Sequence, residues 1–169
     1  MNVILISGLP GSGKSTVARK VPKFLKNCCV INGDKIQDYV IYERYYGAGP
    51  RDVTNPDALK VIKDEIEGDI RYAESRGYEN VVVEWRFANL LDRWKDGNNV
   101  IMKASANARF RRVFRREFVF ASLEKNEFLQ WDAETLATYG NIGVAMVVEK
   151  RGAAHNARRV AKKYGENIR

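Results

Sequence analysis

Gly8-Leu9-Pro10-Gly11-Ser12-Gly13-Lys14-Ser15-Thr16 fills every fixed position of the pattern G-x-x-x-x-G-K-[ST]. Its flanks carry the reading outward. Val3-Ile4-Leu5-Ile6 is a short apolar run that suits a buried parallel strand. After the loop, Val17, Val21, Phe24 and Leu25 fall on one face of a helical pattern. Strand, glycine loop and helix are the setting in which this motif binds phosphate. Glycines let consecutive backbone N–H groups converge on phosphate oxygens with no Cβ in the way. The helix N-terminus adds partial positive charge. Gly11, Ser12, Gly13, Lys14, Ser15 and Thr16 are therefore the expected ATP-binding residues. Lys14 is expected to reach the β- and γ-phosphates, and the Ser15 hydroxyl to ligate Mg²⁺.

Further strand-like runs follow at Cys28–Ile31, Val81–Trp85, Val100–Lys103 and Val144–Val148, with amphipathic or charged stretches between them. Such alternation predicts a parallel sheet flanked by helices. Near-continuous apolar strands predict that both sheet faces are covered. The expected fold is an α/β P-loop NTPase three-layer sandwich on a five-stranded parallel sheet, one domain spanning residues 1–169. Two long intervals interrupt the pattern. Residues 35–77, with a helix expected from about Asn55-Pro56 to Ser75, are read as an acceptor-binding segment. Residues 104–139, rich in arginine, are read as a lid over the phosphates. The polar stretch from Arg151 to Arg169 is expected to be a closing surface helix, with a nucleic-acid contact as the alternative.

Ligand sites of open α/β sheets lie beyond the carboxyl ends of the strands, which singles out three residues. Asp34 follows the second strand, where a carboxylate can orient an acceptor or hold a water on Mg²⁺. The competing role is to cap the helix starting at Lys35. Glu84 ends the run Val81-Val82-Val83, in the manner of a Walker B acid, and is expected near the metal or the acceptor. Arg86 is expected near the acceptor, a surface ion pair being the alternative. In Arg109-Phe110-Arg111-Arg112-Val113-Phe114-Arg115-Arg116, helical spacing sets Arg111 with Arg115 and Arg112 with Arg116. Arginine suits bidentate phosphate contact, and Arg112 and Arg116 are the expected charge-neutralising pair, with part of the run left as a solvated face.

At 169 residues the chain can bury a substantial core. Its 45% hydrophobic and 30% charged residues place it among globular proteins. No apolar stretch approaches the roughly 20 residues needed to cross a bilayer. The N-terminal run lacks a basic leader and reads as a strand, so a cytoplasmic protein without a membrane partner is expected. Adjacent Cys28 and Cys29 suit neither a mutual disulfide nor a metal site, and are expected to be buried strand residues. His155, the only histidine, is expected to be solvent-exposed. The tryptophans and Tyr42, Tyr45 and Tyr46 are read as packing residues, with base stacking the alternative for the tyrosines. Net charge is +8, from a generally basic surface or from a nucleic-acid substrate.

Together these residues resemble the small P-loop kinases of the nucleoside monophosphate kinase superfamily. Val83-Glu84-Trp85-Arg86-Phe87-Ala88-Asn89 is similar to the Asp-Val-Arg-Phe-Pro-Asn segment of phage deoxynucleoside monophosphate kinases, departing at Glu84, Trp85 and Ala88. Phe128–Asp132 through Gly140–Gly143 is similar to a segment of dephospho-coenzyme-A-kinase-like proteins, with Trp131 where an Arg commonly stands. Polynucleotide kinases share the glycine loop and an Asp placed like Asp34, and phage kinases acting on hydroxymethylated bases in DNA are further relatives. The resemblance implies ATP- and Mg²⁺-dependent phosphoryl transfer to a nucleotide-like acceptor, most simply a (deoxy)nucleoside monophosphate. A hydroxyl on DNA or RNA is the alternative acceptor. A regulatory ATPase with no acceptor is the third reading.

Overall fold

The chain is described by a computed structural model covering residues 1–44, 55–91, 98–116, 146–148 and 152–165. Strands β1 (Asn2–Gly8), β2 (Cys28–Asn32), β3 (Asn80–Glu84), β4 (Asn98–Met102) and β5 (Met146–Val148) form one sheet in the order β2-β3-β1-β4-β5. All four pairings are parallel. The register aligns Glu84 with both Ile6 and Asn32, and Gly8 with Met102, so the loops after β1, β2 and β3 open at the same end.

Alternate residues of the strands feed two cores, as a two-residue period requires. Val3, Leu5, Val81 and Val83 pack with Val40 and Ile41 of helix α2 (Gly33–Arg44) and with Ile62, Ile66 and Ile70 of α3 (Pro56–Ser75). Ile4, Ile6, Val82, Val100 and Met102 face the other way. They meet Val17 and Ala18 of α1 (Lys14–Ala18) and Ala157, Val160 and Ala161 of the last described helix, which follows α4 (Ala106–Arg116) and is labelled α5 (Ala153–Tyr164). Covered faces explain why the central strands read as unbroken apolar runs.

Helix α3 starts where expected. Asn55 Oδ1 accepts from the amides of Asp57 and Ala58, and Pro56 occupies the first turn. Elsewhere the boundaries shift. The helix after the glycine loop ends at Ala18, and Val21–Lys23 form a separate 3-10 turn. Pro22 has no amide to donate and crowds the carbonyl four residues back. Val17, Val21 and Leu25 are buried all the same. Cys28 and Cys29 are half-buried rather than buried, because β2 is an edge strand. Helix α5 is more than a surface cover, since Asn156, Ala157, Val160 and Ala161 are buried. Among the described residues no helix is long and apolar enough to cross a membrane.

Candidate active site

The site begins with a backbone constraint. Gly11 and Gly13 have φ of +74° and +96°, in the left-handed region that favours glycine. Gly11 has a second reason to lack a side chain: a Cβ there would stand 2.7 Å from the Arg109 carbonyl oxygen of α4. The loop thus turns tightly and is braced from behind. Arg109 is 3% exposed, and its Nε donates to the Ala104 carbonyl at 3.1 Å. The Arg112 guanidinium donates to the Gly11 carbonyl at 2.9 Å. Of the expected arginine cluster, then, Arg109 is structural and Arg112 reaches the glycine loop. Arg111 is exposed. The side chains of Arg115 and Arg116 lie outside those described, as do Trp94, Trp131, Tyr45, Tyr46 and most of the expected lid.

Lys14 and Asp34 form an ion pair, Lys14 being almost fully buried and Asp34 one-third exposed. The other carboxylate oxygen of Asp34 accepts from the Arg86 amide at 3.0 Å. Asp34 does not cap α2. Asn32 Oδ1 accepts from the Lys35 amide at 3.0 Å, and the helix already includes Gly33. Capping by Asn32 leaves the Asp34 carboxylate at the open end of the sheet.

Gly33 is needed for space, not for dihedral freedom. A Cβ there would lie 2.5 Å from Cβ and 2.7 Å from Cγ of Trp85. Trp85 is fully buried, and its indole N–H donates to Gln37 Oε1 at 2.9 Å. The start of α2 is thereby locked against the end of β3, which sets Asp34 beside Lys14. Trp85 is a packing residue, as expected. Arg86 is half-buried, its guanidinium 5.2 Å from the centre of the Phe87 ring. It contributes its amide to Asp34 while its side chain lies on an aromatic neighbour.

Ser15 Oγ donates to Glu84 Oε2 at 2.9 Å. Glu84 is 2% exposed. Burial pushes its carboxyl above the usual range, with Lys14 pulling back, Asp34 pushing further, and the Ser15 hydroxyl and Arg19 lowering it again. Asp38, one turn beyond Asp34 on α2, is also raised, first by desolvation and then by the like charge of Asp34, against the pull of Lys14. Asp38 itself is exposed, one turn along α2 from Asp34 and outside the residues expected at the site.

Beside the glycine loop lies a cavity of about 370 Å³ lined by Gly13, Thr16, Ser105, Ala108, Arg112 and Asn156, among others. Ser12 also lines it, and its Oγ is buried with no hydrogen-bond partner among the described residues. Asn156 and Ser105 were not anticipated. His155 is exposed, as expected. Tyr42, expected to pack, is instead 68% exposed. Among the described residues no cluster of His, Cys, Asp and Glu forms a ready metal cage.

Residues 4–118 match the AAA domain family. The chain is 34% identical over 125 residues to a cytidylate kinase of Pyrobaculum neutrophilum, covering 69% of this chain but 61% of that protein. The match thus spans under two thirds of the relative's length. A tunicamycin resistance protein of Deinococcus radiodurans superposes with a TM-score of 0.68 at 17% identity, over 99% of this chain and 97% of that one. Shikimate kinase of Acinetobacter baumannii gives 0.59 at 16% identity, over 96% and 90%. The chain belongs to the AAA domain family and has the α/β fold of the small P-loop kinases.

Proposed function

We propose that this protein transfers the γ-phosphoryl group of ATP to a nucleotide-like acceptor, in the first place a (deoxy)nucleoside monophosphate. The carrying observation is the Lys14–Asp34 ion pair set beside the Ser15–Glu84 hydrogen bond at the mouth of the glycine loop. Gly11 to Thr16 hold the triphosphate. Lys14 follows the charge that develops on the transferred group, and Arg112 lies close enough to assist. Residues 104–139, Arg116 among them, would close over the phosphates as a lid. Residues 35–77 would carry the acceptor, with Asp34 and Glu84 orienting the acceptor or a water on the metal, and Arg86 beside it. The match to cytidylate kinase supports the nucleotide acceptor.

An oxygen-only pair of hydroxyl and carboxylate suits a hard divalent cation. Ser15 directly, and Glu84 or Asp34 through water, would hold Mg²⁺. Bound there, the ion would screen the charge shared by the β- and γ-phosphates.

A hydroxyl acceptor on DNA or RNA is the second reading, favoured by Asp34 being released from capping duty. A phosphate acceptor is already ionised at neutral pH, whereas a hydroxyl needs a group to take its proton. One experiment separates the readings. ATP labelled in the γ-phosphate is offered with mononucleotides, with hydroxyl-ended and hydroxymethylated DNA, with RNA and with no acceptor. Label passing to a mononucleotide is the expected result. Transfer to nucleic acid alone establishes the second reading. Release of inorganic phosphate only, with no acceptor labelled, defeats both and leaves the regulatory ATPase.

A further inference from the structure

Two neighbouring segments of the molecule carry cations and no acid. The first acid in the chain is Asp34, so residues 1–33 hold none, and α5 holds none either. Beyond Arg19, whose Nε donates to the Ser15 carbonyl, the stretch between α1 and β2 carries Lys20, Lys23 and Lys26. Helix α5 carries Arg158, Arg159, Lys162 and Lys163. These seven cations stand on two short segments that hold no acid.

Those segments are neighbours. Val21 and Leu25 share a core with Ala157, Val160 and Ala161, and the Arg158 guanidinium lies 5.9 Å from the centre of the Phe24 ring. Six of the seven side chains are exposed and Lys20 is half-buried. On α5, Arg158 stands one turn from Lys162, and Arg159 one turn from Lys163, making two rows of like charge. Like charges at this spacing repel one another along a helix. An anion laid along the rows would offset that repulsion. Glu79, whose amide donates to the Asn27 carbonyl, marks the edge of the basic area.

We propose that this face docks the phosphodiester backbone of nucleic acid, away from Asp34. It lies on the α1–α5 side of the sheet, whereas α2, with Asp34, covers the other side. A membrane-surface face would pair its cations with exposed apolar side chains. Among the described residues the large exposed apolar ones, Met1, Tyr39, Tyr42, Tyr72 and Tyr78, lie in neither segment. Regular cations without apolar anchors fit a polyphosphate chain, bound without sequence preference.

The test is fluorescence anisotropy with a labelled 20-base-pair DNA duplex across a salt series. Each phosphate neutralised adds about 0.9 to the slope of log affinity against log salt. The wild-type slope is expected near −4, roughly, on that scale. The triple variant Arg159→Gln, Lys162→Gln, Lys163→Gln should lower the slope by about 2 and weaken low-salt binding at least ~10-fold. A second triple, Lys20→Gln, Lys23→Gln, Lys26→Gln, should act in the same direction, which guards against one variant failing to fold. Neither triple should change turnover on a small acceptor, because none of the six is placed in the active site. Wild-type binding slopes in both folded triples would overturn the proposal. So would tighter binding to phosphatidylserine vesicles than to the duplex at equal salt. The readout is binding, so its failure is distinct from failure of the proposed phosphotransfer.

Discussion

The turns after β1 and β2 both begin a helix at the open end of the sheet, and both depend on glycine, for opposite reasons. At Gly13 the need is conformational: φ is +96°, and an added Cβ would meet nothing within 4 Å. At Gly33 the dihedral is unremarkable, but an added Cβ would stand 2.5 Å from the buried Trp85. The first turn shapes itself to hold a ligand. The second is shaped by its neighbour, and its purpose is to bring Asp34 against Lys14. A cradle can therefore be written in one local motif, whereas its opposing carboxylate depends on contacts between residues 48 to 52 positions apart.

The widest separation between the turns should appear in catalysis. Lys14→Ala removes the cation at the phosphates and should abolish transfer, a loss of about 10³-fold or more by analogy with deleting a charge-stabilising donor. The fold should survive, since Lys14 packs against a carboxylate and not in an apolar core. Near wild-type turnover in a folded variant would break the assignment of the first turn. Asp34→Asn follows, with turnover expected to fall by about 10²-fold through lost positioning while ATP affinity changes little. Because Asn32 already caps α2, loss of capping cannot account for such a fall. Turnover within a few-fold of wild type would reduce Asp34 to a structural partner of Lys14 and Arg86.

The glycines themselves sharpen the comparison. Gly33→Ala pushes a methyl into Trp85 and should cost about 1–3 kcal/mol as overpacking, read by denaturant unfolding. It should also lower turnover by tilting Asp34. In a Trp85→Leu background the same change should cost less, since contacting residues couple. Gly13→Ala should show no such coupling to Trp85. Equal costs for Gly33→Ala in both backgrounds would mean that α2 is not positioned by this contact.

This asymmetry also explains what the sequence made legible. The glycine loop, the α/β alternation, the Asn55 cap and the carboxyl-end placement of Asp34 and Glu84 follow from residue type and short-range period. The break at Pro22 was equally local and was overlooked in favour of a continuous apolar face. What could not be read was pairwise. That Asn32 caps and so frees Asp34 depends on where α2 starts. That Trp85 holds Gln37 and excludes a Cβ at Gly33 depends on how β3 meets α2. That Arg109 is buried while Arg112 reaches the glycine loop depends on which face of α4 meets the loop, which a run of five arginines does not declare.

The smallest expected effect is electrostatic and tests how far Lys14 compensates for carboxylates on the β2–β3 side. Burial raises Glu84 above an ordinary glutamate, despite Lys14 and the Ser15 hydroxyl. A carboxyl raised in the folded state binds its proton more tightly there than in the unfolded chain. Its contribution to stability is then full below the ordinary glutamate range and is lost as pH rises through the raised value. Folding stability of the ligand-free protein, measured in chelator by denaturant titration at successive pH values, should decline across that window. The slope due to one group is at most about 1.4 kcal/mol per pH unit. Glu84→Gln keeps the shape and can still accept from Ser15, but cannot ionise, so it should flatten part of the decline. A residue of slope should persist in the variant, because Asp38 is raised in the same sense. An unchanged profile in Glu84→Gln would mean that Lys14, Arg19 and Ser15 fully offset the burial of Glu84. The carboxylate would then sit at the glycine loop at no cost to the fold.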